Sequence, residues 1–493
     1  MERLCAYTPA GERIHSYTLC IRYFALLREG TLATVSSPTD FSSLDLNPAL
    51  LGNLVDLGYL EMTLVQAQSL PLIIDGVDVV ARAKTGSGKT AAFGLGLLNK
   101  LDVASFETQA LILCPTRELA DQVAKEIRRL ARAIPNIKIS ILFGGAPVRT
   151  QKNSLQRSPH IIVGTPGRVH KHLRDGNIQL QGLQTLVLDE ADRMLDMGFI
   201  DELNAILRFM PANRQTLMFS ATYPDEVADM SAKVQRNPKT VDVTDDELPP
   251  QIVQTWCSVT RENRNSDLLR ALRAWGGELN LVFCNTKLDC AEVTSYLQKN
   301  NVGAIALHGD LDQIKRTQAL ARFSNRSASV LVATDVAARG LDVNDIDAVF
   351  NFELPPQAEV YVHRIGRTAR AGKQGVAVSL VEEREQWRLE QIGETMPDAV
   401  IEQRNIPDAP RDTLQASMTT IQISGGKKNK LRPGDLLGAL TAEGGIPGTA
   451  VGSIDLFDSY AYVAVENRHA SKASRQLSDR PIKGRRYRAR IIK

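Results

Sequence analysis

The chain has 493 residues, of which 43% are hydrophobic and 23% are charged. That length has room for about three domains of ~150 residues each, and the composition is ordinary for a globular protein. No run approaches the ~20 apolar residues of a membrane span and no apolar signal segment is evident, so we expect neither a membrane-spanning nor a secreted protein. The six cysteines form no CxxC pair, which is typical of reduced thiols and indicates a cytoplasmic protein.

Charge is distributed unevenly along the chain. Residues 411–493 contain 15 lysines and arginines against 7 acidic residues, whereas the preceding 410 residues contain 44 basic and 49 acidic residues. A basic end on a slightly acidic body indicates an appendage that binds a polyanion. The alternative is a solvated basic tail that only aids solubility, and composition alone leaves both interpretations open.

The first two regions of the chain differ in pattern. Residues 1–40 carry no motif or clear periodicity and are predicted to be a poorly ordered extension. From residue 41 to residue 243, short apolar runs alternate with helical patterns, which predicts an α/β domain with a parallel sheet. The predicted strands are Asp78–Arg82, Ala110–Pro115, Ile137–Phe143, His160–Gly164, Thr185–Asp189 and Thr216–Ser220.

Two further domains are predicted after an acidic linker at residues 244–250, which ends in two prolines. Residues 251–401 repeat the α/β alternation, with strands at Leu279–Asn285, Ala304–His308, Ser329–Thr334, Ala348–Glu353 and Val376–Leu380. Residues 402–415 are polar and contain proline, so they are predicted to be a second linker. Residues 416–493 follow the order β-α-β-β-α-β of a small ferredoxin-like (RRM-like) α+β sandwich. Its predicted strands are Met418–Ser424, Gly452–Leu456, Tyr460–Val465 and Arg486–Ile491, and its helices are Pro433–Leu440 and a segment around His469–Leu477.

A phosphate-binding loop is predicted at residues 83–90, which read AKTGSGKT between a strand and an apolar helix. The glycines would let backbone N–H groups approach phosphates, and the helix N-terminus favours negative charge. Lys89 is placed to meet the β- and γ-phosphates and Thr90 to ligate Mg²⁺. The alternative is a glycine-rich turn that binds no nucleotide. The residues predicted to contact nucleotide here are Ala83, Lys84, Thr85, Gly86, Ser87, Gly88, Lys89 and Thr90.

An acidic cluster, DEAD at residues 189–192, follows an apolar strand. A carboxylate at the carboxyl end of a parallel strand beside the phosphate loop is suited to hold Mg²⁺, and Asp189 takes that role. Glu190 would orient or deprotonate the attacking water. The alternative is a helix-capping cluster, which is plausible only without the phosphate loop.

The second domain has no phosphate loop of its own but carries two arginines three residues apart in HRIGRTAR (363–370). On one helical face, Arg367 and Arg370 would project together toward the charge that develops on a γ-phosphate. They could equally form a surface salt-bridge face. A nucleotide shared between two domains would explain how ATP draws them together.

Taken in order, these motifs resemble those of the DEAD-box ATP-dependent RNA helicases from about residue 41 to residue 380. The matching segments are Phe41 with GYLEMTLVQ (58–66), AKTGSGKT (83–90), PTRELA (115–120), GG (144–145), TPGR (165–168), DEAD (189–192), SAT (220–222), VFCNTK (282–287), ATDVAARGLD (333–342) and HRIGRTAR (363–370). Each segment is weak alone, but ten in the family's order make chance agreement negligible. The resemblance implies two tandem RecA-like domains, an RNA-stimulated ATPase that uses ATP and Mg²⁺, and local separation of RNA duplexes.

The resemblance also implies roles for individual residues. Gln66 would read the adenine edge, Phe41 would stack on the base and Asp342 would contact the ribose. Ser220 and Thr222, through Asp192, would couple the nucleotide site to the closure of the two α/β domains on each other. Arg367 and Arg370 would be arginine fingers. The RNA backbone would be held by Pro115, Thr116, Arg117, Gly145, Thr165 and Arg168 in the first domain, and by Arg316, Thr334 and Gly340 in the second. Such contacts to phosphates and 2′-hydroxyls favour RNA without reading its sequence.

One departure from the family pattern lies in the adenine motif, where Leu64 stands in place of the usual proline. A looser turn at this point predicts weaker ATP affinity at most, because Gln66 is kept.

Two kinds of RNA contact are predicted in the C-terminal domain. Tyr460 and Tyr462 lie two residues apart, hence on one sheet face, where they could stack on unpaired bases; alternatively they belong partly to the core. The basic clusters comprise Lys427, Lys428, Lys430 and Arg432, then Lys483, Arg485, Arg486, Arg488 and Arg490.

The helicase core followed by this C-terminal domain is similar to the bacterial DbpA subgroup. That similarity implies a monomeric ribosome-assembly helicase whose last domain grips a hairpin of 23S ribosomal RNA in pre-50S particles. A different class of function, an ATP-gated RNA clamp without productive unwinding, is disfavoured because a clamp needs no water-activating Glu190. A DNA helicase is disfavoured by the DEAD and HRIGR forms.

Overall fold

The computed structural model describes residues 39–83, 86–243, 252–338, 346–369, 374–396, 399–408 and 414–492. Several predictions lie outside these residues: the extension 1–38, the linker 244–250, and the site residues Lys84, Thr85, Gly340, Asp342 and Arg370. No helix among the described residues is long and apolar enough to cross a membrane.

The first α/β domain, which we call lobe one, is built on a seven-stranded parallel sheet in the order β3-β4-β2-β5-β6-β1-β7. Its strands are β1 (Val79–Arg82), β2 (Ala110–Leu113), β3 (Ile139–Leu142), β4 (Ile161–Gly164), β5 (Thr185–Asp189), β6 (Gln215–Ser220) and β7 (Lys239–Asp242). Its helices are α1 (Pro48–Asp56), α2 (Leu64–Ile74), α3 (Lys89–Lys100), α4 (Arg117–Leu130), α5 (Val148–Leu155), α6 (Pro166–Arg174), α7 (Ala191–Asp196), α8 (Ile200–Leu207) and α9 (Asp225–Val234).

The central strands of lobe one are apolar throughout because helices cover both faces of the sheet. Successive residues of β2 point to opposite faces, so Ile112 packs in one core and Leu111 and Leu113 in the other. All the strands are parallel, and their carboxyl ends therefore meet at one edge. The loops that carry the motifs lie at this edge.

The second α/β domain, which we call lobe two, also has a seven-stranded parallel sheet, in the order β10-β11-β9-β12-β13-β8-β14. Its strands are β8 (Ile252–Ser258), β9 (Asn280–Cys284), β10 (Ala304–Leu307), β11 (Val330–Thr334), β12 (Ala348–Asn351), β13 (Gly375–Val381) and β14 (Ile401–Gln403). Its helices are α10 (Arg264–Trp275), α11 (Lys287–Lys299), α12 (Gln313–Ser324), α13 (Asp335–Ala338), α14 (Ala358–Ile365) and α15 (Gln386–Thr395). Because β14 pairs with β8, the sheet continues to Gln403, two residues into the predicted linker.

The C-terminal domain has a four-stranded antiparallel sheet in the order β16-β17-β15-β18. Its elements are β15 (Met418–Ile423), α16 (Pro433–Thr441), β16 (Val451–Leu456), β17 (Ala461–Glu466), α17 (Ala470–Asp479) and β18 (Ala489–Ile491). The chain order β-α-β-β-α-β confirms the ferredoxin-like prediction. Ile421, Val463, Leu436 and Leu477 meet in the core between the sheet and the two helices.

The outer face of this sheet packs against lobe two at Thr420. The Thr420 side chain is fully buried and forms hydrogen bonds with Asn325 and Ser327, which follow α12. The backbone N–H of Met418 donates to the carbonyl of Arg326 at 3.2 Å. Lobe two therefore covers part of the sheet face that lies opposite the domain's own helices.

Candidate functional site

The phosphate loop turns tightly between β1 and α3. Gly86 and Gly88 have φ values of +92° and +95°, a left-handed conformation that glycine adopts at no steric cost. Lys89, the first residue of α3, is buried and its Nζ donates to the carbonyl of Ala83 at 2.7 Å. The ammonium is thus held inside the curve of the loop, where phosphate oxygens would meet it and the helix N-terminus.

The predicted adenine-reading glutamine lies directly against this loop. Gln66 is buried; its Nε2 donates to the carbonyl of Gly88 at 3.1 Å and its Oε1 accepts from the N–H of Thr63. A Cβ at Gly88 would lie 2.5 Å from that Nε2, so the close approach requires glycine. Phe41 is 4% exposed and packs edge-on against Tyr59 with ring centroids 6.4 Å apart. Adenine recognition by Gln66 and Phe41 stays a prediction.

The acidic cluster begins at the last residue of β5. Asp189 is 3% exposed, and Glu190 has a φ of +53°, which is uncommon outside glycine. This left-handed turn ends the strand and starts α7, so the two neighbouring carboxylates point in different directions. Backbone strain of this kind clusters at functional sites because the surrounding structure must hold it in place.

The electrostatics at Asp189 favour a bound cation. Burial raises the pKa of the Asp189 carboxyl to about 7, the nearby Lys89 charge opposes that rise, and Glu190 adds to it. An ion held by this carboxylate would relieve the cost of its burial. The Asp189 carboxylate and the Thr90 hydroxyl are hard oxygen donors of the kind that Mg²⁺ prefers, so these two residues would suit such an ion.

The predicted coupling residues are in direct contact. The Oδ2 atom of Asp192 accepts hydrogen bonds from both the N–H and the hydroxyl of Thr222, at 3.0 and 2.8 Å. The N–H of Asp192 donates to the Ser220 hydroxyl at 3.3 Å. The end of β6 is therefore joined by hydrogen bonds to α7, which directly follows Asp189 and Glu190.

The RNA-binding residues predicted in lobe one come together at the ends of β2, β3 and β4. Arg117 lies against Gly145, where a Cβ would be 2.3 Å from its Nη1. Thr116 caps α4 by accepting from the N–H of Leu119, and Pro115 precedes it. Thr165 directly precedes α6, and Arg168 on that helix donates to the carbonyl of Ala146 at 3.3 Å.

Residues of lobe two complete this cluster. Arg117 donates to the Oε1 atom of Gln313 at 2.8 Å, and Arg316 forms an ion pair with Glu118 that is mostly buried. Burial lowers the pKa of Arg117, and the neighbouring charges of Arg316 and Arg168 lower it further. Three arginines from two lobes thus share one region, and such a region attracts phosphates. Thr334, another predicted RNA contact of lobe two, lies at the carboxyl end of β11.

The helix before the predicted arginine fingers is anchored in lobe two. Arg364 on α14 is 1% exposed and donates to both carboxylate oxygens of Asp335 at 2.7 Å and to Asn285 at 2.8 Å. The prediction that Arg367 lies on a helical face is wrong, because α14 ends at Ile365 and Arg367 lies in the turn that follows. Arg367 lines a small interlobe space together with Arg193 of lobe one. The predicted finger Arg367 therefore faces the other lobe.

In the C-terminal domain, the two tyrosines do not form an open stacking surface. Tyr462 is 1% exposed and packs against Phe457 and Tyr460, with ring centroids 5.5 and 5.2 Å away. Tyr460 itself is stacked on Phe457 at 4.7 Å. Stacking of Tyr462 on a base is inconsistent with this burial, because neighbouring rings cover its faces.

The basic clusters, in contrast, are exposed and adjacent. The Nζ atom of Lys483 donates to the carbonyl of Lys430 at 2.8 Å, which joins the loop after β15 to the loop before β18. The exposed basic residues of these loops and of the adjoining strand β18 are Lys427, Lys428, Lys430, Arg432, Lys483, Arg485, Arg486, Arg488 and Arg490. We call this set the basic loop surface.

Several site residues were not predicted from the sequence. Glu118 lies within a recognised motif, and its charge at the start of α4 was a usable signal. Gln151, whose Oε1 accepts a hydrogen bond from Arg168 at 3.1 Å, belongs to no motif and gave no signal.

Three family descriptions match successive parts of the chain. The DEAD/DEAH box helicase family matches residues 63–230, and the helicase conserved C-terminal domain matches residues 263–372. The DbpA RNA binding domain matches residues 420–491, the part that carries the basic loop surface.

Curated relatives agree with this division. The chain is 51% identical over 456 residues to the ATP-dependent RNA helicase DbpA of Escherichia coli K12, covering 92% of this chain and all of that protein. It is 42% identical over 358 residues to the DEAD-box ATP-dependent RNA helicase CshA of Geobacillus kaustophilus, covering 72% of this chain and 76% of the relative.

Solved structures agree as well. S. cerevisiae Dbp5 bound to RNA and ADP BeF3 is 29% identical with a TM-score of 0.69, covering 75% of this chain and 96% of that one. Mss116p bound to ssRNA and AMP-PNP is 27% identical with a TM-score of 0.65, covering 73% and 78%. The motif geometry, the matched families and the full-length relative lead to one conclusion: the chain belongs to the DEAD-box family of ATP-dependent RNA helicases and ends in a DbpA-type RNA-binding domain.

Proposed function

We propose that this helicase acts on 23S ribosomal RNA in pre-50S particles, as a cytoplasmic monomer that the basic loop surface anchors to the RNA. The observation that carries the proposal is a difference between the helicase core, formed by the two lobes, and the C-terminal domain. The helicase core holds motifs that are predicted to contact the RNA backbone without reading its sequence. A separate domain presents nine exposed basic side chains, eight on two adjoining loops and Arg490 on β18. Such a domain would bring a helicase core that has no sequence preference of its own to one particular RNA.

In the nucleotide site, Lys89 would bind the β- and γ-phosphates, and Thr90 and Asp189 would hold Mg²⁺. Magnesium would neutralise charge that develops on the phosphates during transfer. Glu190 would orient the attacking water and accept its proton. Arg367 and Arg370, supplied by lobe two, would stabilise the transition state, so hydrolysis would require closed lobes.

In the core, RNA would bind across both lobes. Arg117, Arg168 and Arg316 form the positive region described above, and Arg117 and Arg316 already have partners in the opposite lobe. A phosphate backbone laid across them would be favoured only when the two lobes are together. ATP and RNA would then stabilise the same closed arrangement, which is how binding of one raises affinity for the other.

At the C-terminus, we propose that RNA is gripped by loops and not by an open sheet face. Thr420 is buried against lobe two and Tyr462 beneath its aromatic neighbours, whereas the side chains of Lys427 and Arg485 are exposed. Phosphate contacts from such loops position an RNA hairpin. Tyr460, which is half-buried at the end of this sheet, remains available for one edge contact.

The test is the RNA-stimulated ATPase rate of the full chain, and of a variant that lacks residues 411–493, measured with 23S ribosomal RNA and with random RNA of equal length. We expect strong preference for ribosomal RNA in the full chain and little preference in the truncated one. Equal stimulation of the full chain by both RNAs would overturn ribosomal targeting and leave the ATPase assignment intact.

A further inference from the structure

A buried polar cluster lies beneath the RNA-binding loops of lobe one and belongs to none of the helicase motifs. Gln151 on α5 is 6% exposed, and His172 on α6 is fully buried. The Nε2 atom of His172 lies 2.9 Å from the Oε1 atom of Gln151, and Arg168 donates to the same oxygen at 3.1 Å. Burying polar groups costs free energy of folding unless each group has a hydrogen-bond partner. A buried polar cluster beneath these loops therefore indicates a structural or functional role.

The hydrogen-bond partners fix the orientation of every group. Arg168 can only donate, and the carbonyl of Phe143 can only accept; the Gln151 amide must therefore turn its oxygen to Arg168 and its nitrogen to Phe143, which it contacts at 2.9 Å. Because that oxygen accepts, His172 must carry its proton on Nε2. The other ring nitrogen, Nδ1, then accepts from Asn177 at 3.4 Å.

The same glutamine thus connects two RNA-binding segments. Through Phe143 it holds the chain just before Gly144 and Gly145, and through its oxygen it holds the guanidinium of Arg168. Arg168 also donates to the carbonyl of Ala146, directly after the two glycines. The orientation of one amide therefore sets the spacing between the glycine loop and Arg168.

We propose that Gln151 and His172 are positioning residues for RNA binding: neutral His172 locks the Gln151 amide, and the locked amide aims Arg168 at the RNA backbone. The inference rests on the proposed contact between Arg168 and RNA. Without the His172 N–H, the amide keeps its contacts with Phe143 and Arg168 but loses one of its three hydrogen bonds, so it restricts the long side chain of Arg168 less firmly. RNA affinity should fall while the nucleotide site, on other loops, keeps its affinity for ATP.

The experiment measures binding of a short fluorescein-labelled oligouridylate to the full chain with a non-hydrolysable ATP analogue, by anisotropy. His172→Leu should weaken RNA binding about fivefold, which is the size expected for one buried hydrogen bond. His172→Gln keeps a donor near the position of Nε2 and should bind within about twofold of the unchanged protein. In the absence of RNA, the equilibrium affinity for ATP should be unaltered in both variants, because the nucleotide site lies on other loops.

The decisive comparison adds Arg168→Ala. If His172 acts through Arg168, then His172→Leu should cause no further loss in the Arg168→Ala background, whereas independent effects would multiply. Multiplying losses, or normal RNA binding by His172→Leu while Arg168→Ala weakens it, would overturn the positioning role. Unchanged binding by Arg168→Ala alone would instead overturn the proposed Arg168 contact, and with it the basis of this inference.

Asn177→Ala provides a second variant in case His172→Leu does not fold. Asn177 is half-buried, and its loss removes only the donor to Nδ1 of His172. We expect a smaller loss of RNA affinity with the same unaltered affinity for ATP in the absence of RNA. A change in that ATP affinity without a change in RNA affinity would contradict the proposal.

Discussion

The helicase core and the C-terminal domain hold their functional side chains in opposite ways. In the core, Lys89, Asp189 and Asp192 are buried, and hydrogen bonds or neighbouring charges constrain each of them. In the C-terminal domain, the basic loop surface is exposed to solvent. Buried groups act through fixed geometry, whereas exposed charges act through summed electrostatics. Core substitutions should therefore affect turnover steeply, and C-terminal substitutions should affect affinity gradually and in a salt-dependent way.

The largest effect is expected for Glu190→Gln. Removing a general base typically slows chemistry by about 10²–10⁴-fold, so kcat should fall by about 10³-fold while ATP still binds. Steady-state ATPase assays and equilibrium nucleotide binding measure the two quantities. Lys89→Ala is the matched comparison and should lose both binding and turnover. Normal turnover in Glu190→Gln would rule out the assigned role.

The next effect concerns the basic loop surface. Changing Lys427, Lys428, Arg485 and Arg486 together to glutamine should weaken 23S RNA binding by about 30-fold and make the slope of log K against log salt shallower by about 3 to 4. The measurement is a salt titration of RNA binding. The matched control changes four exposed basic residues of the two lobes to glutamine: Arg208, Lys239, Arg261 and Lys299. An equal loss in the control would mean that total charge, and not this surface, governs binding.

How far the sequence predicts the fold depends on how regular each element is. The strand Thr185–Asp189 is predicted to the residue because its three central residues are apolar and it ends in a recognised motif. The edge strands β7 and β14 are missed because they are short and carry exposed polar residues, as in Lys239–Asp242. The interior strand β8 is missed because Gln254 and Thr255 interrupt its apolar residues. Edge strands bury too little surface to leave a clear apolar pattern.

Whether a site residue can be predicted depends on whether its neighbours in the chain define its role. Motif residues such as Lys89 and Asp192 are predicted because their neighbours in the chain define their chemistry. Gln151 and His172 are not predicted, because their role depends on hydrogen bonds across 21 residues of sequence. The sequence leaves the burial of Tyr462 open as one of two alternatives, since alternation assigns a sheet face but does not reveal what covers it.

A smaller effect is expected at the contact between Asp192 and Thr222. Thr222→Val removes the hydroxyl that donates to Asp192 at 2.8 Å and keeps the backbone N–H contact. Duplex unwinding should fall by about tenfold while RNA-stimulated ATP hydrolysis changes by less than about threefold, because one charge-assisted hydrogen bond is lost away from the phosphates. Thr240→Val, an exposed threonine on β7, serves as the control. Parallel loss of both activities would argue against a coupling role.

The smallest effect is a pH dependence that comes from burial in the core. The pKa of Asp189 in the nucleotide-free protein is raised to about 7, and Mg²⁺ binds only the deprotonated carboxylate. Protons therefore compete with Mg²⁺ as pH falls through this value, and Mg²⁺-dependent ADP affinity should drop about fourfold between about pH 8 and about pH 6.5. The same titration in EDTA controls for ionisation of the nucleotide and should show a weaker dependence. RNA binding by the C-terminal domain does not use the Asp189 carboxylate and should stay constant. Equal pH dependence of RNA binding and of Mg²⁺-dependent ADP binding would remove the contrast between the two regions.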